Sequence, residues 1–400
     1  MLLKESIVST CKFFIENKMY NLANSLLDSV VYNPMNLVAI HNEIVNQKKK
    51  NSYVILVESN GLGHFTQMKN IIRLLNNSYN CVGIVAGRFN NDVYDFANEK
   101  NIPLMTLNEP HFVSNQETES IINDTIRYVI EFSYLHYNKA SQFICKLNPE
   151  FIINLHLPIK LVSIATKTVF NISSQNRLDF EKDYYSIVLD NKFSTFTLNS
   201  VIFSTYLIHN SYLNVHKIAI DCGEYSYQTI PPMINIDNLE LSKRDNKTIV
   251  CYFNVPQTEV IWNIFKVFEN MTFIVFIKNS KKYKTIHKNI IFKEVNNNFD
   301  EYRKNSLGII SSCGVETIYE NFKMGLPMVC IPSNAEQAYN GYDHSRKIPG
   351  FKWDYCLKKE HIDWLINFKR NDLYWKKHEK FNTFLGKKDN LINIIKSKLD

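Results

Sequence analysis

Two groups of residues in this 400-residue chain have types and spacings that suit chemistry. The first is Glu58-Ser59-Asn60-Gly61-Leu62-Gly63-His64, which follows the apolar run Tyr53 to Val57. Glycines at the end of a buried strand let the backbone come close to a ligand, and a helix starting just beyond offers its N–H groups to an anion. His64 changes charge near neutral pH, so in a cleft it can take the proton of a hydroxyl. Taken singly, the same residues also suit a tight structural turn and a polar histidine satisfied by its neighbours. The pattern is not the dinucleotide fingerprint. A third glycine is missing at Thr66, and no acidic residue closes the next strand near Ala86.

The second group lies within Ser306 to Asn340 and comprises Gly314, Thr317, Glu320, Glu336, Gln337 and Asn340. Leu307, Ile309 and Ile310 read as a buried strand ending at Cys313-Gly314, Glu316 to Met324 as a helix, and Met328 to Ile331 as a second strand. Gly325 is placed to stop the helix and Pro327 to keep it from resuming. A carboxylate at Glu320, one turn into a helix, can accept two hydroxyl hydrogen bonds of the kind a ribose donates, each worth about 1.5–3 kcal/mol when charge-assisted. Thr317 and the amides after Gly314 suit a phosphate, and Glu336-Gln337 suit sugar hydroxyls. Each residue alone is equally a solvated helix position; the order in which they occur favours a site.

The elements around these groups alternate strand and helix. Strands are expected at Tyr53–Val57, Cys81–Ala86, Leu104–Leu107, Phe151–Leu155, Val169–Ile172, Tyr206–Leu213 and Lys217–Ile220, with helices at Thr66–Leu75, Asn91–Lys100 and Glu119–Leu147. The alternation restarts at Thr248–Phe253 after the polar stretch Asp237–Lys247. This predicts an α/β protein with two doubly wound, Rossmann-like domains. The expected division is a helical extension over 1–48, a first domain over 51–236, a second over 247–345 and closing helices over 346–400. Residues 19–44 resemble a single tetratricopeptide-type repeat, which cannot stack alone and suits a helical cap.

Composition narrows the classes. Hydrophobic residues make up 45% of the chain, which suits a packed core, and a net charge of +7 is mild. The lysines at 376, 377, 380, 387, 388, 396 and 398 form a solvated face or meet an anionic acceptor or membrane surface. No arginine-rich groove or nucleic-acid motif accompanies them, so nucleic acid is not an expected partner. Eight scattered cysteines without metal-type spacing predict reduced thiols in a cytoplasmic setting and no zinc site. No run of about 18 uncharged apolar residues is long enough to span a bilayer.

Residues 306–340 resemble the donor half of GT-B glycosyltransferases, especially family 28 and the UDP-glycosyltransferases, and Gly61-Leu62-Gly63-His64 resembles the loop of their acceptor halves. The resemblance spans about 50 to 345. It implies a hexosyltransferase that uses a nucleotide sugar, a UDP-sugar by this likeness, as substrate, with a hydroxyl acceptor on a glycan, lipid or small molecule and neither cofactor nor metal. It implies His64 as catalytic base or oxyanion-side residue, Gly61 and Gly63 at the phosphate or acceptor loop, Gly314 and Thr317 at phosphate, Glu320 at ribose, Glu336 and Gln337 at the sugar, and Asn340 elsewhere in the donor site. Two departures stand out. Leu155 and Leu157 occupy a stretch where relatives carry carboxylates, leaving Glu58 and His156 as candidates to orient His64; Asn254-Val255-Pro256-Gln257 lacks the Gly-Ser of many relatives. A catalytically degenerate GT-B binding module and a UDP-GlcNAc 2-epimerase type enzyme are the alternatives.

Overall fold

The computed structural model describes residues 49–59, 62–107, 139–157, 167–174, 176, 214–223, 228–235, 239–244, 247–253, 259–277, 280–283, 287–294, 299–333 and 335–399. The expected helical extension over 1–48, the strand at Tyr206–Leu213, most of the helix Glu119–Leu147, the loop 254–257 and Gly61 lie outside them. Residues 139–147 are helical. The chain divides into two compact units, one formed by 1–221, 226–233 and 388–400, the other by 222–225 and 234–387.

In the first unit the strands are β1 (Lys49–Val57), β2 (Asn80–Ala86), β3 (Leu104–Thr106), β4 (Pro149–Leu155), β5 (Thr168–Ser173), β6 (Val215–Ile220) and β7 (Thr229–Ile230), with α1 (Leu62–Leu75) and α2 (Asn91–Glu99) among the crossovers. They form one sheet in the order β3-β2-β1-β4-β5-β6-β7, parallel at every pairing. The run Tyr53–Val57 is fully buried, as a strand covered on both faces must be. Helix α1 begins at Leu62, four residues before the expected Thr66. Phe65, Met68, Ile71, Ile72 and Leu75 give it a buried face at helical spacing that reaches back to the turn. Gly63 and His64 therefore sit in its first turn and not in a loop.

In the second unit β8 (Thr248–Phe253), α3 (Glu259–Val267), β9 (Thr272–Ile277), β10 (Ile290–Lys293), α4 (Phe299–Asn305), β11 (Gly308–Ser311), α5 (Val315–Lys323), β12 (Met328–Cys330), α6 (Ala335–Lys347) and β13 (Phe351–Trp353) follow in turn. Their sheet, also parallel, has the order β10-β9-β8-β11-β12-β13. In sequence order this is 3-2-1-4-5-6, the Rossmann arrangement. Trp262, Phe265 and Phe273 centre its core, with Phe265 stacked on Phe273 at 4.1 Å. Helices α7 (Lys359–Asn367) and α8 (Asp372–Leu385) belong to this unit. Phe322 of α5 meets Tyr374, His378 and Phe381 of α8, and His378 Nε2 donates to the carbonyl of Lys323 at 3.0 Å. Helix α9 (Asn390–Leu399) returns to the first unit and packs on β7.

Among the cysteines, Cys313 and Cys330 are joined in a disulfide, their Cα atoms 5.3 Å apart. This corrects the expectation of reduced thiols throughout. Parallel pairing sets Cys330 opposite Ser311, and the tight turn from Ser312 to Gly314 brings Cys313 alongside. Cys81, Cys222 and Cys251 are buried thiols, as expected. Among the described residues no helix is long and apolar enough to cross a membrane.

Gly325 ends α5 as expected, at φ +70°. Its N–H donates to Phe322 O at 3.0 Å and that of Leu326 to Asn321 O at 2.8 Å, the paired bonds of a Schellman cap. A side chain at this φ costs about 1–2 kcal/mol. Gly325→Ala is expected to lower the unfolding free energy of the second unit by about that amount in urea titrations; an unchanged midpoint and slope would contradict the assignment.

Candidate functional site

Ligands of open parallel sheets bind beyond the carboxyl ends of the strands where the strand order reverses. In the first unit that point lies between β1 and β4, paired through Val57 and Leu155. Glu58 follows β1, His64 lies in the first turn of α1, and His156 follows β4. His64 Nδ1 lies 2.7 Å from Glu58 Oε2, with side-chain exposures of only 15% and 10%. The rings of His64 and His156 stack with centroids 6.3 Å apart.

Asn154 shapes the β4 end of this cluster. Fully buried, it accepts from the Leu157 N–H at 2.9 Å and donates to the Leu157 carbonyl at 3.1 Å. The clasp leaves His156 at φ +59°, a conformation histidine tolerates better than most residues. Leu155 and Leu157 are packed in the core. Of the two candidates for orienting His64, Glu58 makes the direct approach.

In the second unit the reversal lies between β8 and β11, where Ser311 pairs with Tyr252. Gly314 is the N-cap residue of α5, at φ −66° and ψ 130° with no side-chain cap bond. A Cβ there would meet only Thr317 Oγ1, at 3.8 Å. Neither backbone strain nor crowding within the fold therefore demands a glycine at this helix start. What its small size leaves is open space beside the first amides of α5. Thr317 stands half-buried in the first turn.

Glu320 does not stand as an isolated carboxylate. Arg303 of α4, 2% exposed, donates through Nη1 to Glu320 Oε2 at 2.9 Å and to Asn321 Oδ1 at 3.3 Å, while its Nη2 donates to Asp300. Burial pushes the Glu320 carboxyl above its ordinary value, and the Arg303 guanidinium opposes that shift. The guanidinium also lies 4.7 Å from the Phe299 ring, which meets Tyr252 and Phe276. This aromatic patch beside Glu320 was not anticipated. Its members come from β8, β9 and α4, spread between positions 252 and 299 of the sequence, and share no periodicity.

The remaining donor-side residues divide differently. Glu336 falls in the first turn of α6. Gln337 turns inward, its Oε1 accepting from the N–H of Ser333 at 2.8 Å and from its hydroxyl at 2.7 Å, which pins the loop before α6. Asn340 is fully buried and donates to the Cys313 carbonyl at 3.2 Å, so it braces the turn that leads to Gly314. Gln337 and Asn340 are thus seen holding the frame of the site. No group of three or more metal-ligating side chains occurs among the described residues.

No protein family and no curated protein sequence matches the chain. Solved structures do. The glycosyltransferase of kitacinnamycin superposes with a TM-score of 0.59 at 10% identity, covering 88% of this chain and all of its own. Os79 from O. sativa, solved with U2F and trichothecene, gives 0.59 at 11% identity over 87% of this chain and 100% of that one. Phytolacca americana UGT2, solved with UDP-2fluoro-glucose and pterostilbene, gives 0.58 at 11% identity over 87% and 99%. At these identities the likeness is one of fold: the chain has the GT-B fold, two Rossmann-like units on parallel sheets.

The Arg303–Glu320 pair yields a test in the unliganded protein. Because burial raises the folded-state value of Glu320 above 4.5, its protonated form is the better tolerated. Its contribution to stability is therefore greatest below that value and is lost as pH rises through the raised folded one. Arg303→Met removes the only opposing cation in the pair and is expected to cost about 3–5 kcal/mol at neutral pH, as removing one partner of a buried pair does. The deficit should shrink on acidification and in the Arg303→Met/Glu320→Gln double variant. Urea unfolding at both pH values decides; an equal deficit at each would show that the loss is one of packing.

Proposed function

We propose that the protein is a metal-independent glycosyltransferase that moves a sugar from a nucleotide-sugar donor, a UDP-sugar, to a hydroxyl of an acceptor glycan, lipid or small molecule. The observation that carries the reading is the approach of Glu58 to His64 at the ligand-binding edge of the first sheet. With Nδ1 facing the carboxylate, Nε2 of a neutral His64 is the nitrogen left to act as base. It would take the proton of the acceptor hydroxyl as that oxygen bonds to the anomeric carbon. The bond from that carbon to the diphosphate breaks, and the nucleoside diphosphate leaves with the electron pair. Glu58 stabilises the imidazolium that results, and solvent later removes its proton.

On the donor side, the open first turn of α5 at Gly314 and Thr317 suits the diphosphate, whose charge grows as the bond breaks. Glu320, positioned by its bond from Arg303, suits the two ribose hydroxyls. The patch of Tyr252, Phe276 and Phe299 offers apolar surface to a base. Glu336 and Gln337 are assigned to the sugar, Gln337 through its amide group. The solved neighbours support a nucleotide sugar as donor: one was solved with UDP-2fluoro-glucose and another with thymidine diphosphate.

Release of nucleotide from UDP-, GDP- and TDP-sugars, with and without a panel of hydroxyl acceptors, tests the proposal directly. UDP release that depends on an acceptor is expected. His64→Ala should reduce kcat about 10²–10⁴-fold, the usual worth of general-base catalysis. Glu58→Gln should lower kcat and move the acid limb of the pH–rate profile to lower pH, because a neighbouring carboxylate raises a histidine's pKa. Undiminished turnover in His64→Ala would remove that residue from catalysis. UDP binding without release under any condition would make the protein a binding module, and conversion of the sugar while still attached to UDP would make it an epimerase.

A further inference from the structure

The disulfide between Cys313 and Cys330 takes no part in glycosyl transfer, yet it ties together two segments that frame the donor side of the second unit. Cys330 is the last residue of β12, a fully buried strand that pairs with β11 through Ser311. Cys313 stands in the turn between β11 and α5, where the Gly314 N–H donates to the Ser312 carbonyl at 2.9 Å, and it immediately precedes the N-cap of α5. Both cysteines are wholly buried. Helix α6 closes over Cys313: a Cβ at Gly341 would come within 3.2 Å of its Sγ and 3.1 Å of Trp353 Cβ. That closeness accounts for a glycine inside a helix, where it is less stable than alanine.

Two sulfurs that are not bonded need van der Waals separation, and close packing leaves little room for it here. Cys330 is fixed by its strand, so the turn at Cys313 is the part that must yield. The surroundings also suit a second state. Asn340 of α6 donates to the Cys313 carbonyl at 3.2 Å, while its buried Oδ1 has no donor among the described residues. A thiol at Cys313 would bring a weak S–H donor to that neighbourhood. We propose that Cys313 and Cys330 form a redox switch on donor binding. The disulfide holds the first turn of α5 in place for the diphosphate, and the dithiol form loosens that turn together with the start of α6. The inference rests on the assignment of Gly314 and Thr317 to the diphosphate. In the switching step an external dithiol supplies two electrons; the S–S bond breaks, each cysteine sulfur ends with a proton, and the reductant leaves as its own disulfide. By linkage, bound donor favours the disulfide by the same factor as the disulfide favours the donor.

The full chain, equilibrated with dithiothreitol or with mixtures of reduced and oxidised glutathione, provides the test. Alkylation after unfolding identifies the state, because Cys313 and Cys330 are labelled only in the reduced form. UDP is expected to bind the reduced protein about tenfold more weakly, and saturating UDP to lower the glutathione midpoint by about 30 mV, the same factor as a two-electron potential. Amide hydrogen exchange over 312–317 and 335–341 should be faster in the reduced protein. Cys330→Ala should bind UDP weakly with or without reductant; circular dichroism checks its fold, and Cys330→Ser serves if alanine disturbs it. Equal UDP affinity in the two forms overturns the switch, as does a disulfide that survives excess dithiothreitol in the folded chain. If UDP binds neither form, the donor assignment fails separately, and amide exchange decides: equal exchange overturns the switch, and faster exchange in the dithiol form upholds the coupling of the turn to the thiol state.

Discussion

Parallel strands cannot be joined by short turns, and that single constraint organises both units. Each strand must be followed by a crossover to the same end of the sheet, so every strand-to-helix turn opens on one edge. When the order reverses after the third strand, the crossovers diverge to opposite faces and leave a crevice that no side chain of the sheet fills. Glu58, His64 and His156 gather at one such point and Tyr252, Gly314 and Glu320 at the other because the backbone has no alternative place for them. Fully buried strands such as Tyr53–Val57 and Gly308–Ser311 supply the rigidity; the polar residues of the site come from the turns and first helical turns that follow them.

Two glutamates at these edges illustrate how surroundings assign a role. Glu58 approaches an imidazole, a group whose charge is itself adjustable, so the pair is suited to passing a proton. Glu320 faces a guanidinium, which stays charged at any working pH, so its partner cannot exchange a proton with it. Arg303 is in turn held by Asp300, Asn321 and the Phe299 ring, which fixes Glu320 from beneath. The same residue type thus meets a titratable partner in one unit and a fixed charge in the other.

The framework was readable in the amino-acid order because period and punctuation report on local physics. Runs such as YVILV and TIVCYF specify buried strands, and Gly325 followed by Pro327 specifies the end of α5. Glu58 could be named as a partner of His64 because the two lie within one turn. The start of α1 was misplaced because Gly63 resembled loop punctuation, although a glycine in a first helical turn loses few hydrogen bonds. What stayed hidden depends on distance in sequence. Nothing near Glu320 announces Arg303, seventeen positions earlier, and nothing near Phe299 announces Tyr252. Gln337 and Asn340 were recognised by type, yet their bonds to Ser333 and Cys313 turn them toward the frame, and only packing decides that.

The return of α9 to the first unit has a consequence for how the chain is made. The second unit is an insertion within the first: its sequence is complete by Lys387, while β7 of the first unit still lacks the helix that packs on it. During synthesis, the unit begun second can therefore close first, and the earlier sheet waits for residues 388–399 to cover its edge. A single cut in the linking region cannot separate the units cleanly. It leaves one half without its last helix and the other carrying a helix that belongs elsewhere, so exchange of second units between proteins of this architecture requires two junctions, one before residue 234 and one after Lys387.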